Sequence, residues 1–173
     1  SENENEIDEA SREDISISKS KDSHGFLNKH SLSTSTYSKL LSFDFCWTIE
    51  NFSQFCDDDI DGNPSMDSAI FSAPNKSAEF FMIFYPKGFS EEFRNAISLY
   101  LELVNSDKEE INAIFKFSLL DSQGITRHTR GYQRKFIRGQ RGYGWHQYVT
   151  LNDVINSAYG LLQDDKLTIF CQV

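Results

Sequence analysis

Four histidines and three cysteines are the side chains in this 173-residue sequence best suited to nucleophilic or acid–base chemistry. Nucleophilic catalysis needs a thiol or hydroxyl beside a base. His24 and His30 lie in a polar N-terminal stretch, while Cys46 and Cys171 fall inside strand-like runs. His128 and His146 sit in a basic segment with no carboxylate near them in sequence. The pattern predicts structural or surface roles and a chain that is not an enzyme. Asp57, Asp58, Asp59, Asp61 and Gly62 match the first half of a calcium-binding loop. The last ligand position of that loop falls on Ser68, where a bidentate Glu is required. The stretch is therefore read as a solvated acidic loop, and no metal is expected. Gly139, Gly142 and Gly144 carry the dinucleotide-binding spacing in reverse and open no helix. No cofactor is expected.

The remaining chemistry is that of binding. Arg127, Arg130, Arg134, Lys135, Arg138 and Arg141 lie close together, and no Asp or Glu occurs from Ser122 through Asn152. Tyr132 lies among them, and Tyr143 and Trp145 follow just after Arg141. Tyr, Trp and Arg are the residues that dominate protein–protein hot spots. The chain as a whole is acidic, with a formal net charge of −9. That balance repels nucleic acid at long range, so no nucleic-acid partner is expected.

These side chains need elements to hold them. Residues 1–42 are rich in Ser, Asn, Glu, Asp and Lys. They hold too little apolar surface to offset chain entropy, and the reading is a disordered tail over 1–42. The composition changes at Phe43, so residues 43–173 form the folded domain. Phe43 to Ile49 alternates apolar and other residues, as a half-buried strand does. Glu79–Tyr85 is a continuous apolar run ended by Pro86, which fits a strand buried on both faces. Glu91 to Val104 is ambiguous: Phe93, Ile97, Tyr100, Leu101 and Val104 have helical spacing, whereas Ile97, Leu99, Leu101 and Leu103 alternate. Taken alone, the helical reading is preferred. Further strands are expected at Ala69–Ser72, Ile111–Leu120, Ile125–Ile137, Trp145–Val149 and Lys166–Val173, with a turn at Asp121–Gly124 and a helical turn at Asn152–Asn156. Seven or eight short strands separated by turns predict an all-β antiparallel sandwich. The three cysteines are unclustered, which points to free thiols in a reducing compartment, nucleus or cytoplasm. No apolar run is long enough to span a bilayer, and no membrane partner is expected.

Five segments now matter together: Phe45–Ser53 (FCWTIENFS), Tyr85–Gly88 (YPKG), Ile97–Leu101 (ISLYL), Phe115–Ser118 (FKFS) and Gly160–Cys171 (GLLQDDKLTIFC). In this order they resemble the MATH (meprin and TRAF homology) domain, and within it the speckle-type POZ protein group. The resemblance spans Phe43 to Val173. It implies an eight-stranded antiparallel β-sandwich and a strand, not a helix, at Ile97–Val104. It also implies capture of short Ser/Thr-rich peptide degrons by an adaptor for a cullin-type ubiquitin ligase. The cullin-type scaffold is reached in that group through a BTB/POZ domain, absent from these residues. The alternative is an oligomeric TRAF-like scaffold domain that binds receptor tails. Such scaffolds usually follow a coiled coil, and the tail here shows no heptads.

The resemblance carries groove positions over one at a time. The groove Tyr of the Leu-Tyr-Leu strand is Tyr100, which strand parity also points away from the core. The first Phe of the Phe-Lys-Phe strand is Phe115, although parity places it with Phe117 and Leu119 in the core. The Trp-Gly-Phe-Lys loop is Tyr143-Gly144-Trp145-His146, preceded by Arg141 and by Gly142 where the family has an acid. A groove Tyr becomes Arg134, with Tyr132 on the same strand face. Tyr100, Tyr143 and Trp145 are expected to line one shallow surface. Leu32 to Thr36 in the tail nearly fits the family's degron pattern, a match that any Ser/Thr-rich tail can produce by chance.

Overall fold

The computed structural model describes residues 13–18, 31–36, 41–56 and 64–173. Two units result, Ser1–Leu41 and Ser42–Val173. In the first, β1 (Glu13–Ser18) and β2 (Ser31–Thr36) pair antiparallel, Glu13 opposite Thr36 and Ser18 opposite Ser31. The degron-like string Leu32 to Thr36 is thus part of a strand. This pairing departs from the disordered tail expected over 1–42, although a two-stranded ribbon by itself is at best marginal in water.

The second unit is a sandwich of two antiparallel sheets. One sheet orders β10 (Tyr143–Thr150), β7 (Ala96–Ser106) and β6 (Ala78–Tyr85), with β4 (Met66–Asp67) and β5 (Phe71–Ser72) both on the far side of β6. The other orders β3 (Asp44–Ile49), β12 (Lys166–Gln172), β8 (Glu110–Leu120) and β9 (Thr126–Ile137), with a short β11 (Leu162–Gln163) against β12. With β4 and β5 taken as one interrupted strand, and β11 set aside, each sheet has four strands. Strands β10 and β9 are the edges of their respective sheets and are joined by the turn at residues 138–142.

Period-two patterning builds the core. Phe80, Met82 and Phe84 of β6, Leu99 and Leu101 of β7, Phe115, Phe117 and Leu119 of β8, and Leu167 and Ile169 of β12 all point between the sheets. The apolar run of β6 is buried on only one face, because Phe81, Ile83 and Tyr85 are half-exposed on the other. Residues 91–93 form a single 3-10 turn and Ala96–Ser106 is strand. The helical spacing there is coincidental, and the alternating set Ile97, Leu99, Leu101, Leu103 is what faces the core.

Buried polar groups are bonded. Asp121, 5% exposed, accepts from the N–H groups of Gln123 and Ile125 and from Nε of Arg127, each at 2.9 Å. This fixes the β8–β9 turn, where Gly124 takes a φ of +73°. Ser118 shares a 2.8 Å hydrogen bond with Thr129. The hydroxyl of Tyr148 is the exception, buried without a partner among the described residues. No helix among the described residues is long and apolar enough to cross a membrane.

Candidate functional site

The open side of the sandwich runs along β10. Its bonded neighbour is β7, with Tyr143 opposite Leu101, Gly144 opposite Tyr100 and Trp145 opposite Leu99. Close approach depends on glycine. A Cβ on Gly144 would stand 1.9 Å from the Leu99 carbonyl oxygen, and one on Gly142 would stand 2.0 Å from that of Leu101. After Trp145 the register breaks: residues 146–148 bulge opposite Ser98 alone before Val149 meets Ile97. Ser98 is fully buried, and its hydroxyl stitches the bulge. It accepts from the Phe89 N–H at 2.8 Å and donates to the His146 carbonyl at 2.5 Å. The bulge lets Trp145 and Tyr148, three residues apart, approach one another inside the sandwich with ring centroids 6.0 Å apart.

Strand parity splits the candidate residues between two faces of this edge. On the inner rim, Trp145 lies 4.8 Å from Tyr132 by ring centroid and 5.9 Å from Phe115. Phe115 is fully buried and floors this cluster beneath Tyr132 at 4.9 Å. Tyr143 packs edge-on to Phe136 at 5.1 Å. Above the rings lie two guanidinium groups, Arg134 at 4.0 Å from the Tyr132 centroid and Arg130 at 5.3 Å from that of Trp145. Such stacking is a cation–π arrangement. Side chains of β9 also reach the β10 backbone. The Tyr132 hydroxyl donates to the Gly144 carbonyl at 3.1 Å, and Nη1 of Arg130 donates to the carbonyls of Gln147 and Tyr148 at 2.6 and 3.2 Å.

On the outer face Tyr100 meets Tyr85 and Phe89, each with centroids 6.1 Å away. Its hydroxyl is hydrogen-bonded to Nδ1 of His146. Burial pushes the Tyr100 hydroxyl up to about 12, so it stays protonated at neutral pH. The His146 ring lies between Phe89 and Phe93, at 5.4 and 5.2 Å. A cleft of about 400 Å³ continues along β10 past Phe93, His128, Arg130 and Gln147.

Tyr100 therefore does not share a surface with Tyr143 and Trp145. It stands opposite Gly144, whose neighbours on either side turn their rings inward. Arg134, Tyr132, Trp145 and Tyr143 do come together, over Phe115. Gly142 and Gly144 act by letting β10 approach β7, and Arg141 is exposed in the turn. The sequence reading missed Tyr85, Phe89, Phe93 and Ser98 as neighbours of the site and counted Arg130 only as one base of the basic segment. Parity along β6 could have flagged Tyr85; the bulge that recruits Ser98 leaves no sequence mark.

A family model described as the MATH domain matches residues 44–173. The chain belongs to the MATH domain family. A solved structure described as Notothenia coriiceps TRAF5 shares the sandwich, with a TM-score of 0.57 at 16% identity, over 74% of this chain and 71% of that one. MATH and TRAF domains are protein-interaction modules, and the edge of this MATH domain is lined by aromatic rings and guanidinium groups suited to contact. Burial raises the thiols of Cys46, Cys56 and Cys171, the opposite of what a nucleophilic cysteine requires. Among the described residues no cluster of His, Cys, Asp or Glu is placed to hold a metal ion. The acidic stretch 57–63 lies outside the described residues.

Proposed function

We propose that this MATH domain binds an extended peptide along the edge of β10, as the substrate-recognition part of a BTB adaptor for a cullin-type ubiquitin ligase. The observation that carries the reading is the position of β10: an edge strand with an aromatic cluster on each face. A peptide strand that continues such an edge alternates its side chains between the two faces. One set meets Tyr132, Trp145 and Tyr143, and the other meets Tyr100, Phe89 and His146. The partner is a Ser/Thr-rich segment, and the resemblance to the speckle-type POZ group supports both that chemistry and the adaptor role. The TRAF-like scaffold is the competing role; a trimer in sedimentation would favour it, and a monomer the adaptor.

The test is an NMR titration of the 15N-labelled chain with extended Ser/Thr-rich peptides. Shift changes are expected along β10 and on the facing residues of β9. Saturable binding with changes confined to other strands would overturn the reading.

A further inference from the structure

The inner face of β9 breaks the rule that the other strands obey. Its residues Arg130, Tyr132, Arg134 and Phe136 pair across to Phe117, Phe115, Ala113 and Ile111 of β8, so they belong to the core side of the sheet. Two of those four positions are arginines. Neither makes an ion pair with any described residue. The acid-free run from Ser122 through Asn152 means that no local carboxylate answers them.

Their placement is constrained. Arg130 and Arg134 flank Tyr132 on one strand face, with Cα atoms about 13 Å apart, and their guanidinium groups lean over the neighbouring rings of Trp145 and Tyr132, whose centroids are 4.8 Å apart. Arg134 lies over the Tyr132 ring at 4.0 Å and reaches Tyr143 at 5.9 Å. Arg130 lies over Trp145. Ring stacking holds a guanidinium by its face and leaves donors on its edge. Nη1 of Arg130 serves β10 carbonyls, and Nη1 of Arg134 donates to the carbonyl of Gln133 at 3.0 Å. No acceptor among the described residues meets the Nε or Nη2 of either.

An extended peptide on the β10 edge has the same rise per residue as β9. Side chains that it turns toward the inner rim recur at every second residue. If one of them sits between the two guanidinium groups that cap Tyr132 and Trp145, against the half-exposed ring edges left beside them, those two residues before and two after it stand opposite positions 130 and 134. We propose, on the basis of the peptide-binding reading above, that the groove selects an acidic peptide: Asp or Glu at two positions four apart, with a small or apolar residue midway. The arginines supply charge-assisted, forked hydrogen bonds to the two carboxylates. The ring edges left uncovered beside them supply the contact for the middle residue.

The experiment is selection of a random peptide library on the immobilised full chain, alongside Arg134→Gln and Arg130→Gln. Arg134 is exposed, stacked on Tyr132 and Tyr143 and hydrogen-bonded only to its neighbouring carbonyl, so its variant is expected to keep the fold. The wild-type protein is expected to enrich acids at both positions, and each variant to lose selection at one of them. Synthetic versions of an enriched peptide, with Gln for each acid, should bind about tenfold more weakly per position. Enriched peptides without the acid pair, or acids retained by both variants, overturn this inference and leave the peptide-binding reading standing. That result would assign the arginines to sealing the sandwich edge. A library with no enrichment of any sequence overturns the peptide-binding reading itself. Phosphoserine in place of either acid, if bound far more tightly than Glu, would replace the acidic peptide with a phosphopeptide and so overturn the carboxylate assignment.

Discussion

The hydroxyl of Tyr132 donates to the carbonyl of Gly144 across 3.1 Å, linking the edge strands of two different sheets. The bond occupies an acceptor that an added strand would otherwise use. Tyr132→Phe keeps the ring against Trp145 and Phe115 but frees that carbonyl. The variant is expected to lose about 1 kcal/mol of stability, the usual net worth of one hydrogen bond. Peptide affinity is expected to hold or rise. A loss of affinity in calorimetry would mean that the hydroxyl itself contacts the ligand.

Trp145 has two duties that its neighbours make separable. It packs on Phe115, Phe117, Tyr132 and Tyr148, and it forms part of the rim. Trp145→Ala is expected to cost on the order of 2 kcal/mol of peptide affinity, as a hot spot does. It also opens space above the core, with a stability cost of about 3 kcal/mol for so large a truncation. Trp145→Phe restores most of the packing. Chemical denaturation and peptide titration on both variants check the split: stability is expected to recover further than affinity.

How far the sequence carried this picture depends on the kind of relation. Relations within a strand were legible. Parity placed Tyr100 outward and Phe115 inward, and both are found so. The alternation of Ile97 to Leu103 was present too, although helical spacing competed with it until the family resemblance decided. Relations between strands were not legible. Tyr100 and Trp145 fall on opposite faces because Gly144, not Trp145, is the residue paired to Tyr100. No period within either strand specifies that register. The reach of Arg130 from one sheet to the carbonyls of Gln147 and Tyr148 on the other is of the same kind. It depends on how two sheet edges meet, and the sequence of β9 alone shows only a basic strand.

Gly144→Ala tests the close approach of β10 to β7. The added methyl would meet backbone atoms of Leu99 and Tyr100, which cannot rotate away as a side-chain tip can. The edge strand must shift, and overpacking of this kind costs about 1–3 kcal/mol. Hydrogen exchange is expected to quicken in β10 and in its partners on β7, with β12 and β8 unchanged. Uniform protection across the sandwich would contradict that placement.

Tyr148 offers a change in the opposite direction. Its hydroxyl is buried without a partner among the described residues, and burial pushes its pKa up. Tyr148→Phe removes an unsatisfied polar group and keeps the ring against Phe117 and Trp145. An unmatched buried hydroxyl costs about 1 kcal/mol or more, so the variant is expected to be more stable by roughly that amount. A lower melting temperature would reveal that the hydroxyl is bonded in solution, for instance to a buried water.

The last prediction concerns acid. Hydrogen bonds from the Ile125 and Gln123 N–H groups, together with Arg127, hold the Asp121 carboxyl below the usual carboxylate range, despite its burial. In the unfolded chain those donors are gone and the ordinary value returns. A carboxyl with a lower pKa folded than unfolded stabilises the fold fully above its unfolded value, and that contribution fades as pH falls through the folded value. Thermal melts taken from neutral pH downward should therefore show stability declining once pH drops below about 4, the unperturbed range for Asp. Asp121→Asn keeps one carbonyl acceptor but cannot ionise. It is expected to be less stable than the parent at neutral pH, with the gap narrowing in acid as the parent loses its charge. A gap that stays constant across the range would mean that the turn depends on the shape of this side chain and not on its charge.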